Sequence, residues 1–341
     1  MSPSSTLALV APETPGIPPE TVLLGLPILR RTVLSALRAG FERIVVVQGS
    51  PELGRTLEGT PARMEATAPE DAVRLPWNVI VSTNDLKAIR TGAGSAGVPV
   101  HSAADLPRAE KHLLRSLIKD TEGFMSRHFD RKISLAISRR LAGTRVTPNQ
   151  MTVVSVAIGV FGSLFFLSPA PGMQVAGALC FLLHSIVDGC DGELARLRFQ
   201  ESRYGGLLDF WGDNLVHLAV YTAIAVGWSR SIGRAWPLAL GAAAVVGNVL
   251  SAAFVYRHTM GAQPPQSGPL FTSVSKHSSR MSRVADELAR RDFIYLVLIL
   301  SAFGKAHWFL VMAAAGAPIF FLVLVGIAYR QRGVRATRSH S

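Results

Sequence analysis

The sequence predicts a mainly α protein, a six-helix transmembrane bundle with a small N-terminal α/β domain on the cytoplasmic side. Three observations predict it. Almost every long apolar run lies after residue 150, and hydropathy divides that part into six spans, at about 150–169, 173–195, 205–228, 235–256, 292–304 and 307–329. Ahead of the spans, a run with helical spacing of Leu and Val is followed by two short β-branched runs, the pattern of a helix packed beside a parallel sheet. Basic residues crowd alternate loops: Arg196, Arg198 and Arg203 after span two, Arg257, Lys276 and four further arginines after span four, and Arg330, Arg332, Arg335 and Arg338 after span six. By the positive-inside rule both termini then face the cytoplasm, outvoting Arg230 and Arg234 on the other side, and the expected location is the cytoplasmic membrane.

Residues 1–20 are rich in Pro, Ser, Thr and Glu and are expected to be poorly ordered. The α/β domain is expected over residues 21–105. There GLPILRRTVLSALRAGF reads as a helix ended by Gly40, RIVVVQG as a strand bounded by Gly49, and WNVIVSTND, residues 77–85, as a second strand. Asp85 at its end fits a cap or turn better than a metal ligand. Residues 106–148 read as a linker and a juxtamembrane amphipathic helix. In FDRKISLAISRRL the apolar Ile133, Leu135, Ala136 and Ile137 mix with Arg131, Lys132, Arg139 and Arg140, as expected of a helix lying at a membrane surface. The transmembrane domain is assigned to residues 149–330, and a basic cytoplasmic tail to 331–341.

The formal charge of +12 argues for an anionic membrane surface and phosphate-bearing substrates. Nucleic acid is excluded as a partner because the basic residues flank the spans instead of interleaving with aromatics. The two cysteines, Cys180 and Cys190, fall in one apolar helix, so no disulfide framework is expected. The N-terminus has no basic stretch followed by an apolar one, hence no cleaved signal peptide is expected.

Between spans two and three runs DGCDGELARLRFQESRYGGLLDFWGD, Asp188 to Asp213. Residues three or four apart share a helix face, so Asp188 and Asp191 project together, as do Asp209 and Asp213. Two antiparallel helices can gather all four carboxylates. Each ionisable group in a membrane segment costs roughly 2.5–3.5 kcal/mol on insertion scales, so a positive charge must sit among them. All-oxygen ligation suits a hard cation. Four carboxylates can hold two such ions about 3.5–4 Å apart, the arrangement that clamps attacking and leaving oxygens in phosphoryl transfer. Arg196, beside the acids, presents a planar donor fork suited to a diphosphate. His184 and His217 stand four residues from Asp188 and Asp213, and both are expected to be buried hydrogen-bonding residues and not ligands.

The spacing D-x2-D-G-x2-A-R-x8-G-x3-D-x3-D, filled by Asp188, Asp191, Gly192, Ala195, Arg196, Gly205, Asp209 and Asp213, resembles the signature of the CDP-alcohol phosphotransferase family. The resemblance implies Mg²⁺ or Mn²⁺ on the four aspartates, as two ions, with Asp213 also accepting a proton from the acceptor hydroxyl. It implies that Gly192, Ala195 and Gly205 border a cytidine pocket, that Asn149 and Thr152 of TPNQMT lie beside the nucleotide, and that the protein is a membrane homodimer. Arg203, Arg257 and Lys276 are candidates for holding a phosphorylated acceptor.

The stretch GLPILRRTVLSALRAGFERIVVV resembles a sugar-nucleotide-type nucleotidyltransferase domain. Where such domains carry a glycine-rich basic phosphate loop, this chain has ALVAPETPGIPPE, so the domain is expected to be degenerate and catalytically silent. Residues 98–150 are similar to the fused enzymes that join an inositol-1-phosphate cytidylyltransferase to a di-myo-inositol phosphate phosphate synthase. The expected activity is transfer of a substituted phosphate from a CDP-alcohol, such as CDP-inositol, to the hydroxyl of an acceptor such as an inositol phosphate, with release of CMP. A CDP-diacylglycerol-dependent phospholipid synthase, of the phosphatidylinositol phosphate or phosphatidylglycerol phosphate type, is the alternative. A divalent-cation transporter is the remote one, since its acids would line a pathway instead of gathering near one surface.

Overall fold

The computed structural model describes residues 5–13, 16–47, 51–94, 97–118, 125–260 and 293–338. The chain divides into two units: Met1–Lys119 with Arg139–Arg145 and Arg196–Phe199, and Asp120–Ser138 with Val146–Ala195 and Gln200–Ser341.

The first unit contains β1 (Thr6–Val10), a small hairpin of β2 (Val22–Leu23) and β3 (Leu26–Pro27), α1 (Ile28–Ala39), β4 (Arg43–Val47), α2 (Pro51–Thr56), β5 (Arg63–Glu65), β6 (Val73–Pro76), β7 (Val79–Ile80), α3 (Thr83–Arg90), β8 (Val98–Pro99) and α4 (Leu106–Arg115). Four strands form a parallel sheet in the order β5–β4–β1–β6. Successive residues of a strand face opposite sides. Leu7 and Leu9 accordingly pack with Leu29, Val33 and Ala36 of α1, while Ala8 packs with Val45 on the other side. Both faces of β1 are buried, as parallel strands require.

Leu24 and Gly25 join β2 to β3 with φ of 49° and 82°, the two positive values of a type I′ turn. A Cβ at Gly25 would also stand 2.0 Å from the Ala142 carbonyl oxygen, so glycine is required there twice over. Arg31 of α1, 3% exposed, donates to the carbonyls of Leu23, Leu24 and Leu197 at 2.9, 2.9 and 2.8 Å. Burial pulls its guanidinium down to about 10, which leaves it charged at neutral pH. Helix α1 ends at Gly40, whose φ of 89° closes it in the left-handed conformation, as its sequence predicts.

The second unit is helical. After a wide turn at Ser126–Asp130 come α5 (Arg131–Leu141), which crosses into the first unit at its end, α6 (Pro148–Ser163), α7 (Pro171–Arg198), α8 (Arg203–Ile232), α9 (Trp236–Val255), α10 (Phe293–Ala302) and α11 (His307–Arg338). Thr147 and Gln150 form a capping box that starts α6, and Ser202 caps α8 through the Gly205 amide. The core collects Phe181 of α7, Val216, Val220, Tyr221 and Ile224 of α8, and Phe309 and Leu310 of α11. Small residues set the helix spacing. A Cβ at Gly159 of α6 would meet Val216 at 2.5 Å, one at Gly212 of α8 would meet Val156 at 2.6 Å, and one at Gly247 of α9 would meet the Pro318 nitrogen of α11 at 2.6 Å.

Three expectations change. Among the described residues five helices are long and apolar enough to cross a bilayer: Pro148–Leu167, Pro171–Arg198, Arg203–Ile232, Trp236–His258 and His307–Tyr329. The span expected at 292–304 appears as ten residues, Phe293–Ala302, about 15 Å long against a hydrocarbon core of about 30 Å. Its N-terminal approach lies outside the described residues. Residues 6–10, expected to be poorly ordered, form the central strand, because the apolar run TLALV is short enough to vanish in the average over a Pro- and Ser-rich segment. The strand expected over 77–85 shrinks to Val79–Ile80, because Ser82 and Asp85 make a capping box that opens α3. On α5, Ser134 and Ser138 are buried and Ile133 is 47% exposed, so the face packed within the protein is polar.

Asp85 thus serves as a cap. Its Oδ2 accepts from the Ser82 amide at 2.7 Å and lies 2.7 Å from His112 Nε2. Burial pushes this carboxyl up, but the Ser82 amide, the His112 ring and the Ser82 hydroxyl outweigh it and hold the group below its ordinary value. A depressed carboxylate contributes stability above its unfolded pKa of about 3.9 and loses it as pH falls through the folded value. Asp85→Ala should therefore cost about 1–2 kcal/mol at neutral pH. In thermal unfolding of the full chain in detergent, the gap from wild type should close below about pH 4.

Candidate active site

The acidic motif places Asp188 and Asp191 on the cytoplasm-expected end of α7 and Asp209 near the start of α8. Their carboxylate oxygens converge, with one from each within 4.8 Å of the others. Asp188 and Asp191 are buried. Three carboxylates this close repel one another unless a cation or protons lie among them, and oxygen-only donors fit a hard divalent cation.

Thr152 of α6, 2% exposed, donates its hydroxyl proton to Asp191 Oδ2. A hydroxyl has one proton, so this charge-assisted bond takes precedence over the longer contact to the Pro148 carbonyl at 3.3 Å. The close approach of α6 to α7, where a Cβ at Gly162 would stand 2.3 Å from Cys180 Cβ, brings Thr152 beside Asp191. Asn149, one turn earlier, lies beside Gly205: a Cβ on Gly205 would stand 3.0 Å from Asn149 Oδ1 and 3.1 Å from Ser202 Oγ. Two of the residues expected at the nucleotide are therefore neighbours, around a glycine that keeps the space open.

Asp213, expected with the other three acids, is not in the converging trio among the described residues. It lies one turn beyond Asp209, and its Oδ1 is 3.4 Å from His184 Nε2. His184 Nδ1 is 2.9 Å from the Ser155 carbonyl oxygen, and because a carbonyl only accepts, Nδ1 carries a proton. The ring also stacks parallel to Phe181. His217 donates Nδ1–H to the Asp213 carbonyl at 2.7 Å and sits among Phe181, Tyr221 and Phe293. Neither histidine belongs to the trio.

Gly192 and Ala195 follow the acids on α7, Ala195 being buried. Arg196 groups with the first unit. Arg203 donates to the Met260 carbonyl at 3.3 Å, Arg257 is exposed beside Phe254 and His258, and Lys276 lies outside the described residues.

Residues 145–276 match the family model described as CDP-alcohol phosphatidyltransferase. This segment is a CDP-alcohol phosphatidyltransferase domain. Similar relatives include the bifunctional IPC transferase and DIPP synthase of Thermococcus kodakarensis, 42% identical over 34% of this chain and 26% of that protein. The archaetidylinositol phosphate synthase of Pyrococcus horikoshii is 32% identical over 27% of this chain and 47% of that protein. The chain spans less than half the length of the curated relatives it matches. Among solved structures, the phosphatidylinositol phosphate synthase of Mycobacterium tuberculosis with CDP-DAG bound superposes with a TM-score of 0.39 at 20% identity, over 57% of this chain and 94% of that one.

Inside the CDP-alcohol phosphatidyltransferase domain one residue escaped the sequence reading. Glu193, fully buried on α7, accepts from Arg131 Nη1 at 2.6 Å, Ser134 Oγ at 2.6 Å and Ser138 Oγ at 2.7 Å. The signal was present: Arg131, Ser134 and Ser138 recur at i, i+3 and i+7, a polar stripe on a helix otherwise read for its apolar residues. Thr152 carries the prediction here. A hydrogen bond to a charged group is worth about 1.5–3 kcal/mol, so Thr152→Val should lower divalent-cation affinity by at least about tenfold. Thr152→Ser should restore it, with the cation concentration for half-maximal turnover as the readout.

Proposed function

We propose that the chain transfers a substituted phosphate from a CDP-alcohol to an acceptor hydroxyl and releases CMP. The observation that carries this reading is the convergence of Asp188, Asp191 and Asp209, with Asp191 oriented by Thr152, inside the segment that matches the family. Asp213 is assigned to the same centre. Bound Mg²⁺ or Mn²⁺, two ions in our proposal, would neutralise the diphosphate and the departing phosphate of CMP.

The chain's own residues supply the rest. Asn149, Gly205, Gly192 and Ala195 border the cytidine, and Arg196 offers its donor fork to the diphosphate. Asp213 takes the proton of the acceptor hydroxyl. The acceptor oxygen then bonds to the phosphorus bearing the donor alcohol, while the bond from that phosphorus to the CMP phosphate oxygen breaks and CMP leaves with the electron pair. His184, fixed by the Ser155 carbonyl and 3.4 Å from Asp213, orients that base.

For the donor we favour a soluble CDP-polyol, CDP-inositol with an inositol phosphate acceptor. The similarity to proteins named DIPP synthase supports this choice. The match to an archaetidylinositol phosphate synthase favours the second choice, a CDP-diacylglycerol-type lipid donor. A pocket built to hydrogen-bond hydroxyls rejects an analogue that leaves its polar groups unpaired, so the two donors should differ by orders of magnitude. We further propose a sixth crossing completed around Phe293–Ala302, a homodimer, and the acids and termini on the cytoplasmic side of the cytoplasmic membrane.

Incubation of the purified chain with Mg²⁺ and a panel of CDP-alcohols, following CMP, tests the reaction class. Release with CDP-inositol plus an inositol phosphate is expected. CMP from CDP-diacylglycerol alone would replace the donor, and no CMP from any member would defeat the class. Asp188→Asn, Asp191→Asn, Asp209→Asn and Asp213→Asn should each abolish turnover in folded protein, Asp213→Asn keeping the most metal affinity.

The first unit we take as a nucleotidyltransferase-like domain that has fallen silent. The segment after β1 lacks the glycine-rich basic cradle, and at Gly16 it lies against Asn78 and Val100: a Cβ there would be 3.1 Å from the Val100 carbonyl oxygen. The full chain should make no pyrophosphate from CTP and a polyol phosphate. Pyrophosphate that disappears when residues 1–100 are deleted would contradict this.

A further inference from the structure

Glu193 has every feature of a device for setting helix rotation. Its carboxylate is 0% exposed and gripped from one direction, by three donors on consecutive turns of α5. Successive residues of an α-helix are about 100° apart, so Glu193 lies about 140° from Asp188 and about 200° from Asp191 around α7. The gripped acid and the converging acids are thus on opposite sides of one helix.

The neighbours on the Glu193 side fit the same contact. Cys190 is buried there, with its thiol 3.5 Å from the Ser134 carbonyl and its own carbonyl 3.5 Å from Ser138 Oγ. Gly189 leaves room for the arginine: a Cβ at that position would stand 3.3 Å from Arg131 Nη1. A side chain larger than glycine would push on the ion pair itself.

We propose that Glu193 is a positioning residue: held by Arg131, Ser134 and Ser138, it locks the rotation of α7 and so directs Asp188 and Asp191 toward Asp209. A hydrophobic contact in this place would allow the helix to roll, whereas three directed bonds on one carboxylate admit a single register. The proposal rests on the assignment of the three aspartates to a divalent cation.

The test uses the full chain in detergent, with Mn²⁺ binding followed by electron paramagnetic resonance in the absence of substrate. Glu193→Gln removes the charge and keeps the shape; Ser138→Ala removes one donor and is the milder variant should the first fold poorly. Asp188→Asn serves as the control. Expected are a rise of about tenfold or more in the Mn²⁺ dissociation constant for Glu193→Gln, a smaller rise for Ser138→Ala, and partial recovery when Arg131→Met is combined with Glu193→Gln relative to Arg131→Met alone, since the double change leaves no unpaired buried charge. In a Cys180→Ala background, maleimide labelling of Cys190 should quicken in the same order and report the loosened contact. Faster labelling with Mn²⁺ affinity within twofold of wild type would overturn the positioning role while leaving the metal assignment standing. Unchanged affinity in Asp188→Asn would remove the metal assignment, and the proposal with it.

Discussion

The constraint on which the membrane unit depends is the burial of carboxylates in helices meant for a bilayer. Asp188, Asp191 and Glu193 fall within two turns of α7 and all are buried. A buried anion needs a cation or several donors, or it will not stay ionised. This helix uses both solutions. Glu193 is matched by protein groups alone, one guanidinium and two hydroxyls. Asp188 and Asp191 converge instead on another acid, Asp209. An acid held by three donors of one helix has a structural task, whereas a convergence of acids favours a cation among them.

Close helix approach turns that distinction into a site. Thr152 reaches Asp191 where α6 runs close against α7: a Cβ at Gly162 would stand 2.3 Å from Cys180 Cβ, and one at Gly159 3.0 Å from His184 Cγ. Gly205 keeps Asn149 near, and Gly189 admits Arg131 to Glu193. In a bilayer, helices gain little from burying apolar surface against each other, so contact geometry decides which polar groups can meet.

The chemistry of the site was legible in the sequence because it depends on spacing along single helices. Asp188 and Asp191 share a face by helical periodicity, and Thr147 and Gln150 announce the start of α6. What could not be read is pairing between helices. Nothing in the order of residues couples Glu193 to Arg131, 62 positions away, or brings Asp213 within 3.4 Å of His184. In the first unit, local signals again succeeded where they were strong, as at Gly40. They failed where two competed: WNVIV reads as a strand, but the Ser82–Asp85 box ends it after Ile80. The strand at Thr6–Val10 was lost to averaging, and only its two parallel neighbours reveal why Thr6 to Leu9 are buried.

The net charge of +12 also acquires a finer meaning. Read as composition it points to phosphates and anionic lipid, yet four arginines of the first unit spend their donors on the ends of helices. Arg30 donates to the carbonyls of Thr56 and Glu58 past α2, Arg90 to Gly40 past α1, Arg31 to Leu197 at the end of α7, and Arg198 to Ala142 beyond α5. The last carbonyls of a helix have no partner within it and carry the negative end of its dipole, so a guanidinium satisfies both needs at once. A basic residue so engaged has fewer donors left for a substrate.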